Sequence, residues 1–331
     1  MGKKILVTGG AGYIGSFMVR GLKKKGFEVV IIDDLSSGHQ KAVSNFRLEK
    51  LNLVNDTEKL NKIVLSEKFD GVIHMASFIQ MGESYTVPGK YYKNNVLGFL
   101  NLLEALKNLN STKIILSSSA GVYGTPERLP IKEEDSKNPL NPYGETKYIM
   151  ERMMEDYDNA YGIKSISIRY FNAAGASLDG SIGEAHPEES HLIPNIIKKA
   201  INGEEIEIFG NDYNTPDGTC IRDYIHVLDL VDNHILALEA LLNGGNSTTY
   251  NAGIGRGYSN KEVLDEVEKV TGLHLKVKYV PRRLGDADTL YASIDKIKSE
   301  LGWSPKYGLK EIVESAYLWH KTHPDGFGIL S

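Results

Sequence analysis

An apolar run, KILVT, passes through the glycine-rich turn TGGAGYIG into a helix-like segment that lasts to Lys25, and a second apolar run, VVIIDD, follows at once. Glycines at 9, 12 and 15 suit a tight turn, close approach of the backbone to a pyrophosphate, and a helix N-terminus whose unpaired N–H groups and dipole favour an anion. Asp33 stands 18 residues beyond Gly15, at the end of the second run. A carboxylate there bonds the adenosine ribose hydroxyls and repels a 2′-phosphate, which favours NAD over NADP. FRLEKLNL, GVIHMAS, KIILSSS and SISIRYF read as further strands, separated by periodic segments such as YYKNNVLGFLNLLEALKNL and a helix after Pro142. Near-continuous apolar strands alternating with helices predict a doubly wound parallel α/β sheet of Rossmann type.

That pattern holds over residues 1–172, the expected NAD-binding domain. Beyond Asn172 come a Gly-, Ser- and His-containing loop and shorter mixed elements, which predict a smaller α+β cap over 173–223 and 255–331 that binds the substrate. The stretch 224–254 (DYIHVLDLVDNHILALEALL, TTYNAGIG) is expected to rejoin the sheet. A chain of 331 residues suits one large domain or two coupled ones. With 24% charged residues, a net charge of −5 and no basic block, nucleic acid is not an expected partner. No apolar run is long enough for a membrane span and MGKKILV leads straight into a strand, so a cytoplasmic location is expected. Cys220 is the single cysteine and reads as a small packing residue.

Within NPYGETK, Tyr143 precedes Lys147 by four residues, which places both on one face of a helix begun at the proline turn. A tyrosine with a reference pKa near 10 serves as a base only where a neighbouring charge stabilises its phenolate. The spacing alone leaves packing open, because Tyr317 and Lys321 repeat it in YLWHK. Context separates the two pairs. Ser119 ends the predicted strand KIILSSS 24 residues before Tyr143, and in a parallel sheet strand C-termini face the ligand crevice; Tyr317 has no such companion and is assigned to packing.

TGGAGYIG, SSSAGVYG and PYGETK resemble the extended short-chain dehydrogenase/reductase superfamily. RYFNAAGA, NDYNTPDGTCIRDYIHVLDL, PRRLGD and LGWSPKYGL resemble, more narrowly, the UDP-glucose 4-epimerase family, over nearly the whole chain. The resemblance implies that Tyr143 is the acid/base, Ser119 its proton-relay or orienting partner, and Lys147 the group that lowers the phenol's pKa and binds ribose. It implies an NAD site lined by Tyr13, Ile14, Asp33, Asp34 and the three glycines, with Asn52, Leu53, Met75, Ala76, Asn94 and Tyr170. For the UDP-hexose it implies Asn172, His191, Leu192, Phe209 and Arg222, then Arg283, Asp286 and Leu290. Arginine suits a diphosphate, because its planar fork pairs two oxygens and stays charged.

There are departures from the family pattern. Ile79 stands where some members carry a lysine near the nicotinamide, and Asn52 replaces an acidic residue beneath the adenine. HPEESH spaces its two histidines five apart, outside the zinc-protease pattern, so no metal is expected and His191 is read as pocket lining. The implied reaction interconverts UDP-glucose and UDP-galactose by C4 oxidation, rotation of the 4-keto sugar and re-reduction. Leu290, where members that exclude N-acetylated sugars tend to carry tyrosine, leaves UDP-GlcNAc/UDP-GalNAc as an alternative or additional pair. A nucleotide-sugar dehydratase or decarboxylase fits less well, because Ala120 and Gly121 stand where dehydratases usually carry Asp-Glu. A non-catalytic dinucleotide sensor commonly lacks the Tyr/Lys pair. The resemblance also implies a homodimer built on helices at about 90–108 and 143–161, although the nearby apolar stripe Phe99, Leu102, Leu103 and Leu106 serves a core equally well.

Overall fold

The computed structural model describes residues 2–109, 113–186, 189–283 and 286–328. Pro187 and Glu188 of HPEESH, and Leu284 and Gly285 of PRRLGD, lie outside the described residues. The chain forms two compact units: Met1–Gly124 with Ser136–Arg169 and Val231–Tyr250, and Thr125–Asp135 with Tyr170–Leu230 and Asn251–Ser331.

The first unit carries a seven-stranded sheet of β1 (Lys4–Thr8), β2 (Glu28–Asp33), β3 (Arg47–Lys50), β4 (Gly71–His74), β5 (Lys113–Ser117), β6 (Ser165–Tyr170) and β7 (Thr248–Ala252). The order is β7-β6-β5-β4-β1-β2-β3, and β1 pairs in parallel with β2 and β4, β2 with β3, β4 with β5, and β5 with β6. This is the Rossmann arrangement expected from the alternation. Strand order reverses between β1 and β4, and in such sheets the crevice beyond the strand C-termini at the reversal is the ligand site. Ile5, Leu6, Val7, Val72, Ile73, Ile114, Ile115 and Leu116 are all fully buried, as a sheet covered on both faces demands.

Phe99, Leu102, Leu103 and Leu106 are also fully buried and join Met150 and Met154 in the core. Each contributes roughly 1.5–3 kcal/mol by leaving water, so this stripe is core and not interface. The segment read as one helix, YYKNNVLGFLNLLEALKNL, forms a short α-turn, Pro88–Tyr91, then a π-helical stretch, Tyr92–Leu97, then an α-helix, Gly98–Leu106. The wider turn coincides with Asn95, whose buried side chain is bonded away from its own helix.

In the second unit Glu205–Phe209 pairs in parallel with Lys276–Val280. Ile193, Ile196 and Ile197, Val263 and Val267, and Ile312 and Val313, from helices Leu192–Asn202, Asn260–Thr271 and Leu309–Thr322, pack around Ile206 and Ile208. Ile221–Arg222 lies between Tyr258–Ser259, antiparallel, and Thr289–Leu290, parallel. The divisions differ from the sequence-based ones in three places. The first unit ends at Arg169, the chain returns to it at Val231, and Thr125–Asp135 belongs to the second unit. The last follows from backbone bonding: Ile131 N donates to Tyr291 O at 3.0 Å, Ser293 N donates to Ile131 O at 2.7 Å, and Asn251 N donates to the Glu133 carboxylate at 2.8 Å. Tyr224–His226, expected in the large sheet, pairs instead with Asn172–Ala174.

Candidate active site

The glycine turn is tied to the neighbouring strand. Gly9 has φ 73°, and a Cβ on it would lie 2.6 Å from Ala76 N, so the backbone after β1 rests directly on the Met75–Ala76 backbone after β4. Met75 N also donates to Thr8 O at 2.9 Å. A Cβ on Gly12 would make only ordinary contact, 3.4 Å from Gly9 O. Packing within the chain therefore does not require glycine there, and the small residue keeps the start of helix Tyr13–Lys24 open. No side chain caps that helix and its first turn holds no acid, which suits an incoming anion.

Asp33 ends β2 with its carboxylate accepting from Ala11 N and Leu35 N, each at 2.9 Å. Burial raises its pKa, and the two N–H groups oppose the rise. A turn, a helix terminus and a strand-end acid converging at the β1 side of the strand reversal fit an adenine dinucleotide. Asn52 is engaged within the chain: its amide donates to Asp34 at 2.6 Å, while its oxygen accepts from Val54 N and Asn55 N. Leu53 packs in the core. Tyr13 stacks edge-on against Phe17, and Tyr170 closes β6.

The helix Pro142–Tyr161 starts where NPYG requires. Asn141 accepts from Gly144 N at 2.8 Å as N-cap, Pro142 takes the first helical position, and Gly162 closes the helix at φ 69°. A Cβ on Gly144 would lie 2.5 Å from Gly121 O, so this glycine lets the turn after β5 abut the helix. That contact brings Ser119 to Tyr143. The Ser119 hydroxyl accepts from Gly121 N at 3.1 Å and hydrogen-bonds the phenol.

Lys147 is buried, with Nζ donating to Ser117 O at 2.8 Å and to Ser77 Oγ at 2.9 Å. The ammonium lies 5.9 Å from the centre of the Tyr143 ring. Burial lowers its pKa to about 7, against the opposing pull of Glu151. Burial raises the pKa of Tyr143, and only the Ser119 bond works the other way. The expected lowering of the phenol's pKa by Lys147 is therefore not seen in the chain alone. The comparison pair Tyr317 and Lys321 also meets, 5.3 Å from ring centre to ammonium, but it packs on the second unit's core.

Sequence reasoning missed three groups here. Ser77 and the Ser117 carbonyl hold Lys147, and Asn95 accepts from Phe78 N at 2.9 Å and donates to Phe78 O and Thr146 Oγ1, each at 3.1 Å. Asn94 donates to Asn95 at 3.1 Å.

In the second unit Asp223 organises the predicted substrate residues. Its carbonyl accepts from Asn172 N at 3.2 Å and Asn172 Nδ2 at 2.9 Å, and its N–H donates to Leu290 O at 3.0 Å. Its carboxylate, fully buried, accepts from Ile254 N at 2.9 Å and Ala292 N at 3.2 Å. Leu290 lies beside Arg222 in the strand register. Arg222 sits 3.6 Å from the Asp286 carboxylate, and Arg283 stacks its guanidinium 4.0 Å from the centre of the Phe209 ring. His191 occupies the N-cap position of the helix that begins at Leu192, with no capping bond from its side chain.

The family model described as GDP-mannose 4,6 dehydratase matches residues 6–316. A UDP-glucose 4-epimerase of Lactobacillus helveticus is 48% identical, with 98% of this chain and 99% of the relative covered. A solved UDP-glucose 4-epimerase structure superposes with a TM-score of 0.95 at 44% identity, over 99% of this chain and 100% of the other. The chain belongs to the UDP-glucose 4-epimerase family. The Brucella ovis epimerase, crystallised in complex with NAD, gives a TM-score of 0.92 at 42% identity, covering 95% of this chain and 97% of that one. Among epimerase-like features, Ala120 and Gly121 form a short 3-10 turn beneath Ser119 rather than presenting the paired acids of a dehydratase.

Proposed function

We propose that the protein is an NAD-dependent UDP-hexose 4-epimerase that interconverts UDP-glucose and UDP-galactose. The observation that carries this is the buried Ser119, Tyr143 and Lys147 constellation, next to the turn after β5, in a chain whose first unit also has a dinucleotide-shaped glycine turn. NAD, when bound, supplies the hydride acceptor and donor at C4. Tyr143 takes the proton of the C4 hydroxyl and later returns it, with Ser119 as the hydrogen-bonded relay. Lys147, fixed by Ser117 O and Ser77, lies beneath the ribose. Arg222 and Arg283 hold the diphosphate, Asn172 and Phe209 hold the uridine, and His191, Leu192, Asp286 and Leu290 line the hexose and phosphate side. A grip on UDP alone leaves the 4-keto sugar free to present its other face.

Incubation with UDP-galactose and no added redox equivalents tests this. UDP-glucose should accumulate to equilibrium; a chain that releases a dehydrated sugar, or no product, is not an epimerase. We further propose a cytoplasmic homodimer serving galactose metabolism. Leu97 and Leu100, exposed beside the buried stripe, support a pairing surface there, and light scattering after gel filtration reads the mass directly.

A further inference from the structure

Four side chains of the second unit converge just ahead of helix Leu192–Asn202: Glu184, His186, Glu189 and His191, with one donor atom from each within 4.8 Å of all the others. Glu184 Oε1 contacts Nδ1 of both histidines, lying 3.1 Å from that of His186 and closer still to that of His191. Glu189 Oε1 lies 3.6 Å from His186 Nδ1 and 3.9 Å from His191 Nδ1. Both carboxylates are deeply buried, at 3% and 8% side-chain exposure, while the His191 ring is 39% exposed and offers a way in. A second observation is independent of this convergence. Glu189 Oε2 is buried without a hydrogen-bond partner among the described residues, and an unsatisfied buried carboxylate oxygen costs about 1–3 kcal/mol or more.

From this geometry we infer that Glu184, His186, Glu189 and His191 form a binding site for one divalent transition-metal ion, best suited to Zn²⁺. Two imidazole nitrogens and two carboxylate oxygens are a donor set that zinc accepts. Bonds of about 2.0–2.2 Å in a tetrahedron place donors roughly 3.3–3.6 Å apart; the separations of 3.1, 3.6 and 3.9 Å lie near that spacing, and Glu184 and His191 part to admit the ion. Charge leads to the same ion. Two buried carboxylates require two positive charges nearby. A divalent ion supplies them.

The frame around the site is rigid. Trp319 Nε1 donates to Glu184 O at 2.8 Å, and a Cβ on Gly183 would lie 2.3 Å from the Trp319 ring, so this segment lies flat on helix Leu309–Thr322. Four protein donors complete a tetrahedron and leave no open position, which marks the ion as a clasp joining Glu184 and His186 to Glu189 and His191 and not as a catalyst. The site shares His191 with the proposed substrate lining but uses no step of the epimerase reaction, so stoichiometric metal uptake and sugar turnover are read separately.

The test uses the full chain, stripped with a chelator and titrated with Zn²⁺ against a chromophoric competitor. One equivalent should bind and raise the melting temperature, Cys220→Ser should bind as well as the parent, and Glu189→Gln and His186→Asn should weaken binding by at least about 100-fold. Absence of stoichiometric uptake by the parent, or unchanged affinity in both variants, overturns the site. Co²⁺ substitution of the parent needs no variant. Intense visible bands of four-coordinate cobalt with nitrogen and oxygen donors support the site, whereas a hexa-aqua-like spectrum or thiolate charge transfer overturns it.

Discussion

The side-chain amide of Asn95 donates to the Thr146 hydroxyl at 3.1 Å across 51 residues of chain. Thr146 in turn donates to Tyr143 O at 2.7 Å and directly precedes Lys147. Asn95 thereby couples the loop at Phe78 to the helix that carries Tyr143 and Lys147. Asn95→Ala removes the buried amide that pairs with the part-buried Phe78 N and O, which should cost about 1–3 kcal/mol of stability. It should lower kcat for UDP-galactose while leaving KM nearly unchanged, because the residues proposed to hold the diphosphate belong to the other unit. Equal kcat in parent and variant refutes the positioning role.

Tyr143→Phe should keep the fold and NAD binding and lose about 10²- to 10⁴-fold in turnover. Tyr317→Phe has the same chemistry at the repeated spacing and should be nearly silent. Steady-state assays of the two purified variants decide between an acid/base and an aromatic filler at position 143.

Lys147 predicts a pH dependence. The unfolded lysine titrates near 10.4, whereas burial brings the folded one to about 7. Between those values the unfolded chain holds a proton that the folded chain lacks, so stability from this group rises with pH across the window, by at most about 1.4 kcal/mol per pH unit. The cost of burying the ammonium is fully felt below the folded pKa and fades towards the unfolded one. Lys147→Met removes this contribution. Urea unfolding of parent and variant, without nucleotide, at about pH 7 and about pH 9 should show the parent gaining relative to the variant; a constant difference contradicts the buried ammonium.

Asp33→Asn keeps an acceptor for Ala11 N and removes the charge. The preference for NAD over NADP should shrink by at least about tenfold, or ~1.4 kcal/mol. Titration of both nucleotides against parent and variant measures it, and equal binding of the two by the parent is incompatible with Asp33 at the ribose.

Much of the first unit was legible because its signals are local. TGGAGYIG, Asp33 and NPYGETK each specify a turn, a strand end or a helix start within a few residues, and the structure forms all three. What sequence could not supply were partners brought in from far along the chain. Ser77 reaches Lys147 across 70 residues, Glu184 and Glu189 complete a cluster that the histidine spacing alone did not suggest, and Thr125–Asp135 joins the second unit through bonds to residues more than a hundred positions away. The π-helical turn at Asn95 escaped because a 3.6-residue period is all that an apolar pattern reports.

Leu290 is the residue through which sugar breadth is proposed. Its place beside Arg222 in the strand register supports a side chain near the sugar end of the substrate. UDP-GalNAc should turn over as well as UDP-galactose, and Leu290→Tyr should selectively lose the N-acetylated substrate by about 1–3 kcal/mol in kcat/KM. Undetectable UDP-GalNAc turnover by the parent refutes the open pocket.

Asp223 has a consequence for anyone who would redesign this protein. Its backbone and carboxylate are shared among Asn172, Ile254, Leu290 and Ala292, so the segments on which the proposed substrate residues sit are not interchangeable parts. A loop spanning 286–292 grafted from a relative with a different backbone path would strip partners from Asp223 and disturb Asn172, a residue that the graft never touched. Sugar preference should therefore yield to side-chain replacement on the existing backbone and resist loop exchange, unless position 223 and its distant partners travel with the loop.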